Sequence, residues 1–134
     1  FYVASISSRT VVYKGMLLPK QVNAFYLDLQ DQDLTTSIAL VHSRYSTNTC
    51  PSWGRAHPIR HSVHNGEINT IRGNVNWVKA RSSGFSSAAF GEDMKKIDPI
   101  INEEGSDSAM LDDFLQLLWH GGCSFPQAVM TALP

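Results

Sequence analysis

The 134-residue sequence is short of charge, of cysteine and of long apolar runs, and each shortage excludes something. Charged residues make up 17%, below the usual share of roughly a quarter. The 11 Lys+Arg and 12 Asp+Glu nearly cancel to a formal net charge of −1. No block of five like charges occurs, so the electrostatic footprint of a nucleic-acid partner or an anionic membrane surface is missing. The longest apolar stretches, at 38–41 and in the helix-like 114–119, fall far short of the roughly 20 residues that cross a bilayer as a helix. Neither a nucleic-acid nor a membrane partner is expected. Cys50 and Cys123 are far apart and form no CxxC pair, which excludes a readable disulfide framework or zinc knuckle and fits a reducing, cytoplasmic setting. The sequence opens on Phe1 with no initiator Met, basic leader or signal-peptide core and stops abruptly at Pro134, so an excerpt of a longer polypeptide is expected.

What is there supports a globular core. Hydrophobic residues make up 43%, and a chain of this length buries roughly two-thirds of the surface its unfolded form exposes. Residues 1–8 and 10–13 are β-branched and aromatic around the turn-prone Ser7-Ser8-Arg9, which predicts an antiparallel pair ending at Gly15. Val22, Phe25, Tyr26 and Leu29 recur at helical spacing over 21–29, after Pro19. Residues 36–42 predict a buried strand and 61–64 a short one, with 50–60 as loop between Pro51, Gly54 and Pro58. Ile68, Ile71, Val75 and Val78 predict a helix over 67–81 despite Gly73, followed by a Ser/Gly/Ala-rich mobile loop at 82–90. Ser106 or Asp107 caps a helix carrying Met110, Leu111, Phe114, Leu117 and Leu118, with Gly121-Gly122 as its stop. Ser124-Phe125-Pro126 opens a last helix running through Ala132. Trp53, Trp77 and Trp119 read as core or core-edge residues. The sum is one mixed α+β domain whose polar clusters fall at strand ends and helix starts.

Three such clusters bear chemistry. In His42-Ser43-Arg44-Tyr45-Ser46-Thr47-Asn48, Arg44 at a strand end can offer its planar fork to a carboxylate through two parallel hydrogen bonds; the alternative is a structural arginine paired with a core-edge acid. In His64-Asn65-Gly66-Glu67-Ile68-Asn69, a side-chain amide beside a glycine N–H supplies two donors that can converge on one oxyanion. Asn-Gly is equally the favoured dipeptide of a tight hairpin turn. In Gly105-Ser106-Asp107-Ser108, the carboxylate at a helix start can receive an ammonium group or simply cap the helix. Together they make a receptor for an α-amino acid whose side-chain carbonyl is attacked. A metal site built from His57, His61, His64 and Cys50 is disfavoured, because Pro58 breaks the helix that would align His57 with His61, and strand alternation separates His61 from His64. Cys50 as a nucleophile with His42 or His57 lacks any signature of activation.

These residues are recognisable. The runs 42–48, Pro51-Ser52-Trp53, Arg55-Ala56-His57-Pro58 and 64–70, then Arg72-Gly73-Asn74-Val75-Asn76-Trp77, resemble the class II glutamine amidotransferase domain of the glutamate synthase large subunit. Val12-Tyr13-Lys14-Gly15-Met16, Phe90-Gly91-Glu92-Asp93 and the run 105–110 extend the likeness from end to end. The Arg-Gly-Asn-Val-Asn-Trp run favours this branch over the phosphoribosyl-pyrophosphate, glucosamine-phosphate and asparagine-forming relatives. The resemblance implies an α+β N-terminal-nucleophile hydrolase fold, a four-layer αββα sandwich of which residues 1–134 are part of a single domain. It implies hydrolysis of glutamine to glutamate and ammonia. Carried over singly, Arg44 binds the α-carboxylate, Asp107 the α-ammonium, Asn65 and Gly66 form the oxyanion hole, and Tyr45 and Thr47 line or close the glutamine pocket. The family's nucleophile is a cysteine at the mature N-terminus, where this chain has Phe1. Its segment is expected upstream, and the chain alone is expected to be inactive. FMN and an iron–sulfur cluster are implied for other domains of the parent enzyme and no cofactor for this segment, which has no GxGxxG loop and two cysteines only. The implied partners are glutamine, the remaining domains and a small subunit. A non-catalytic glutamine-binding or structural module of the same fold is the alternative.

Overall fold

The computed structural model describes residues 2–45 and 50–133. The chain divides into two compact units, Phe1–Gly66 and Glu67–Pro134.

In the first unit, Pro19 opens helix α1 (Pro19–Phe25), where its missing N–H costs no hydrogen bond and its fixed φ suits the first turn. Gln21 Oε1 accepts from the Leu18 N–H at 2.8 Å, occupying a donor at the helix entrance. The expected helix over 21–29 breaks at Tyr26, which is extended (φ −103°, ψ 96°), and resumes as a 3-10 turn over Leu27–Gln30. Tertiary bonding overrides periodicity there: the Tyr26 hydroxyl donates to the Lys14 carbonyl at 2.6 Å, and its ring packs against Tyr13 and Phe25 with centroids 5.0 and 4.9 Å apart. Gly15 lets Trp53 close over the same region. A Cβ at Gly15 would stand 2.3 Å from the indole, whose ring lies 5.7 Å from that of Phe25. Lys14 is buried beside it, its Nζ donating to the Gly54 carbonyl at 3.0 Å.

The expected strands are not formed among the described residues; one isolated antiparallel bridge pairs Tyr45 with Ala56. Serine and threonine hydroxyls take the backbone's hydrogen bonds instead, a local competition with ladder formation. Ser7 Oγ accepts from the N–H groups of Arg9 and Thr10, so the expected turn exists. Ser5 Oγ, not a backbone carbonyl, receives the Val12 N–H at 3.1 Å. At 36–42 the Thr36 hydroxyl bonds the Ile38 carbonyl, and Ile38 and Val41 are 79% and 84% exposed, the reverse of a buried strand.

The second unit is helical and follows its sequence closely. Helix α2 (Ile71–Arg81) starts four residues later than the expected 67–81; ahead of it the Ile68 N–H is bound by the Asp107 carboxylate. Its Val75 and Val78 pack with Ile101 in a cluster that Ile71, Phe85, Ile100, Met110 and Phe114 complete. Phe85, together with the Ser87 hydroxyl donating to the Gly121 carbonyl at 2.8 Å, anchors the segment expected to be a mobile loop. Trp77 faces outward, 66% exposed, with the Arg81 guanidinium 5.2 Å from its ring; the core expectation fails because Val75 and Val78 take the inward face. Ser106 is the N-cap of helix α3 (Asp107–His120), its Oγ accepting from the Ala109 N–H at 3.2 Å. The helix stops in a Schellman motif. The Cys123 N–H reaches the Leu118 carbonyl, the Gly122 N–H reaches that of Trp119, and Gly122 takes φ +113°. Helix α4 (Phe125–Ala132), capped by Ser124, packs Ala128 and Ala132 on Leu115 in a second cluster that shares Phe114 with the first. Asn74 Nδ2 donates to the Ala132 carbonyl at 2.8 Å. No helix among the described residues is long and apolar enough to cross a membrane.

Candidate active site

Two of the three chemical clusters meet in the first unit. The Tyr45–Ala56 bridge lays the Arg44 segment against the loop holding His57, which is 6% exposed. The His42 and His57 rings lie 4.4 Å apart between centroids, tilted 35°, and His64 meets His57 edge-on at 6.0 Å. His42 reaches in two directions. Its Nδ1 receives the Arg44 backbone N–H at 3.0 Å, and its Nε2 stands 2.9 Å from Asn65 Oδ1. Residues 23 positions apart are thereby tied into one patch holding Arg44, Tyr45, Asn65 and Gly66.

Within that patch Arg44, Asn65 and Gly66 are exposed and Tyr45 is half-buried. Gly66 has φ +94°, a conformation that only glycine adopts without strain. No strand flanks Asn65-Gly66 among the described residues, so the hairpin alternative has no hairpin to turn. Thr47, like Ser46 and Asn48, lies outside the described residues.

Asp107 belongs to the second unit, as the first residue of α3 with Ser106 as the cap. Its Oδ2 accepts from the Ile68 N–H at 2.7 Å; its Oδ1 accepts from the Ser108 N–H at 2.6 Å and the Ser108 hydroxyl at 3.1 Å. An ionised carboxylate has about four acceptor positions, so three local donors still leave capacity for an ammonium group. Among the described residues no group of three His, Cys, Asp or Glu side chains could hold a metal ion. Cys50 is exposed, and Cys123 packs with the second apolar cluster.

Residue-type reasoning weighed His42 only as a partner for Cys50, and not as a partner for Asn65. The signal for His42 was its position two residues before Arg44, on one face of an extended segment. Neither its link to Asn65 nor the packing of His57 between it and His64 follows from spacing alone.

The pattern of the glutamine amidotransferases class-II matches residues 1–134. This chain belongs to that family. Class II glutamine amidotransferases carry the N-terminal-nucleophile hydrolase fold. Across all of its length the chain is 55% identical to the glutamate synthase [NADPH] large chain of Bacillus subtilis, 53% to the glutamate synthase [NADH] of Saccharomyces cerevisiae and 43% to the ferredoxin-dependent glutamate synthase of Antithamnion. It spans 9%, 6% and 9% of those proteins' lengths, so this amidotransferase sequence aligns with a small part of much larger chains.

Proposed function

We propose that the chain supplies the glutamine-recognition and oxyanion groups of the glutaminase domain in a glutamate synthase. Residues 1–134 are part of one such domain, whose complete form is the αββα sandwich. Arg44 clamps the α-carboxylate, Asp107 holds the α-ammonium, and Tyr45 and Thr47 border the pocket. A cysteine thiolate outside these residues attacks the side-chain amide. As the carbonyl carbon becomes tetrahedral its oxygen gains a full negative charge, and the Asn65 amide and Gly66 N–H donate to it. Such donors are worth about 100- to 1,000-fold in kcat, because they are aimed before the charge appears. Loss of ammonia leaves a thioester, and water releases glutamate. The ammonia passes to another domain, where 2-oxoglutarate is reductively aminated with flavin and iron–sulfur centres held outside this segment; a small subunit is a partner of that larger assembly. The observation that supports this reading is the His42–Asn65 hydrogen bond, which ties the segment of Arg44 to the Asn65-Gly66 turn in a chain matching the family throughout.

The test uses the full-length protein. Arg44→Ala should raise KM for glutamine about 100-fold or more, the loss of two charge-assisted hydrogen bonds. Glutamate formation from free ammonia and 2-oxoglutarate should be unchanged. An unaltered KM for glutamine would make Arg44 structural and remove the reading's recognition element.

A further inference from the structure

We infer that His42 is a positioning residue for the oxyanion hole. Its Nε2–H holds the Asn65 carboxamide by the oxygen, so that the carboxamide N–H groups face the reacting carbonyl. This rests on the reading of Asn65 proposed above and adds to it a residue that never touches substrate.

The proton assignment follows from one bond. A backbone N–H can only donate, and that of Arg44 points at His42 Nδ1 from 3.0 Å. A ring nitrogen that accepts carries no hydrogen, so the neutral imidazole bears its proton on Nε2. Nε2 lies 2.9 Å from Asn65 Oδ1, a donor facing an acceptor. The other tautomer would serve only the longer contact, Nδ1 to the Arg44 carbonyl at 3.3 Å, while turning the Arg44 N–H against an N–H and setting two acceptors, Nε2 and Oδ1, face to face.

An asparagine carboxamide has two orientations of nearly equal shape, related by a half-turn that exchanges oxygen and nitrogen. For an oxyanion hole they are opposites: one presents donors to the developing charge, the other presents an acceptor that repels it. A donor at His42 makes them unequal, because turning the carboxamide over would set N–H against N–H. The buried His57 ring, tilted against His42 with centroids 4.4 Å apart, keeps the imidazole in place. The Arg44 backbone therefore fixes the His42 tautomer, His42 fixes Asn65, and the Arg44 side chain holds the substrate's carboxylate. One short segment aligns recognition with catalysis.

In the full-length protein, steady-state glutamine hydrolysis should separate the donor from the volume. His42→Phe, which fills the space without a donor, is expected to lower kcat about 10- to 100-fold with KM for glutamine within about twofold. His42→Gln, which restores an N–H donor, should recover most of the loss. In a double-mutant cycle His42→Ala should cost nothing further once Asn65 is replaced by Ala, since His42 acts through that residue. Wild-type kcat in His42→Phe, equal losses in the Phe and Gln variants, or full additivity with Asn65→Ala would overturn the inference. If Asn65→Ala leaves kcat unchanged, the oxyanion reading falls and takes the inference with it. If Asn65→Ala is crippled while His42→Phe is not, only the role of His42 falls. Resistance of the amidotransferase segment to limited proteolysis serves as the folding control for each variant, and His42→Ala replaces His42→Phe if the larger ring fails that control.

Discussion

At Gly66 the backbone alone decides which residue is allowed. A Cβ there would meet nothing within 4 Å, so no neighbour objects, but φ +94° costs an ordinary L-residue about 1–2 kcal/mol. Gly66→Ala should therefore lower the melting temperature by several degrees and turn the adjoining N–H out of line, reducing glutamine turnover. Gly73 is the internal control. It too has open space around its missing Cβ, yet it sits inside α2, where alanine is favoured by about 1 kcal/mol. Gly73→Ala should hold or raise the melting temperature, measured by differential scanning calorimetry; a drop equal to that of Gly66→Ala would refute the backbone argument. The proposed site was legible at this scale as residue types, Arg44, Asn65, Gly66 and Asp107, because each has a chemistry of its own. The part that spacing could not supply is the bond that joins two of those clusters, since a histidine reaching across 23 positions depends on how the intervening chain folds.

Helices are written into local sequence and strands are not, and the two units divide along that line. Ser106, Gly122 and Pro126 mark their helix ends through atoms within a few residues: an accepting hydroxyl, a left-handed φ, a ring without an N–H. In the first unit the residues expected to be strands have β-branched side chains but partner no ladder, and hydroxyls at Ser5, Ser7 and Thr36 satisfy backbone groups nearby. A strand needs a second strand, which a one-dimensional pattern does not supply. The Ser106 cap gives the element-scale prediction. Ser106→Ala removes the acceptor of the Ala109 N–H at a residue 2% exposed, and should cost about 1 kcal/mol. Urea titration should give a lower midpoint at unchanged slope. Ser106→Asp should restore most of the loss, because it offers the same acceptor and favours the helix dipole.

For the molecule as a whole, the balance of exposed apolar surface matters most. Ile6, Leu27, Ile38 and Val41 are 88%, 69%, 79% and 84% exposed, and Met130 is 74% exposed in the second unit. Large apolar surface in water favours association, and a net charge of −1 gives little repulsion to oppose it. The isolated 134-residue chain should self-associate, eluting from size-exclusion chromatography above its monomer mass of 14.8 kDa and binding a hydrophobic dye. A monomer peak with no dye signal would contradict this.

Asn74 has a practical meaning for anyone excising this segment. Its amide reaches the carbonyl of Ala132, 58 positions downstream, so one polar bond closes nearly the whole second unit into a loop. Trimming the last turn of α4 would remove more than a terminus: it would strip the acceptor from the middle of α2 and uncover the second cluster where Ala132 is 3% exposed. An expression boundary drawn a few residues short, a harmless choice at most chain ends, would here open the unit at both ends of that loop.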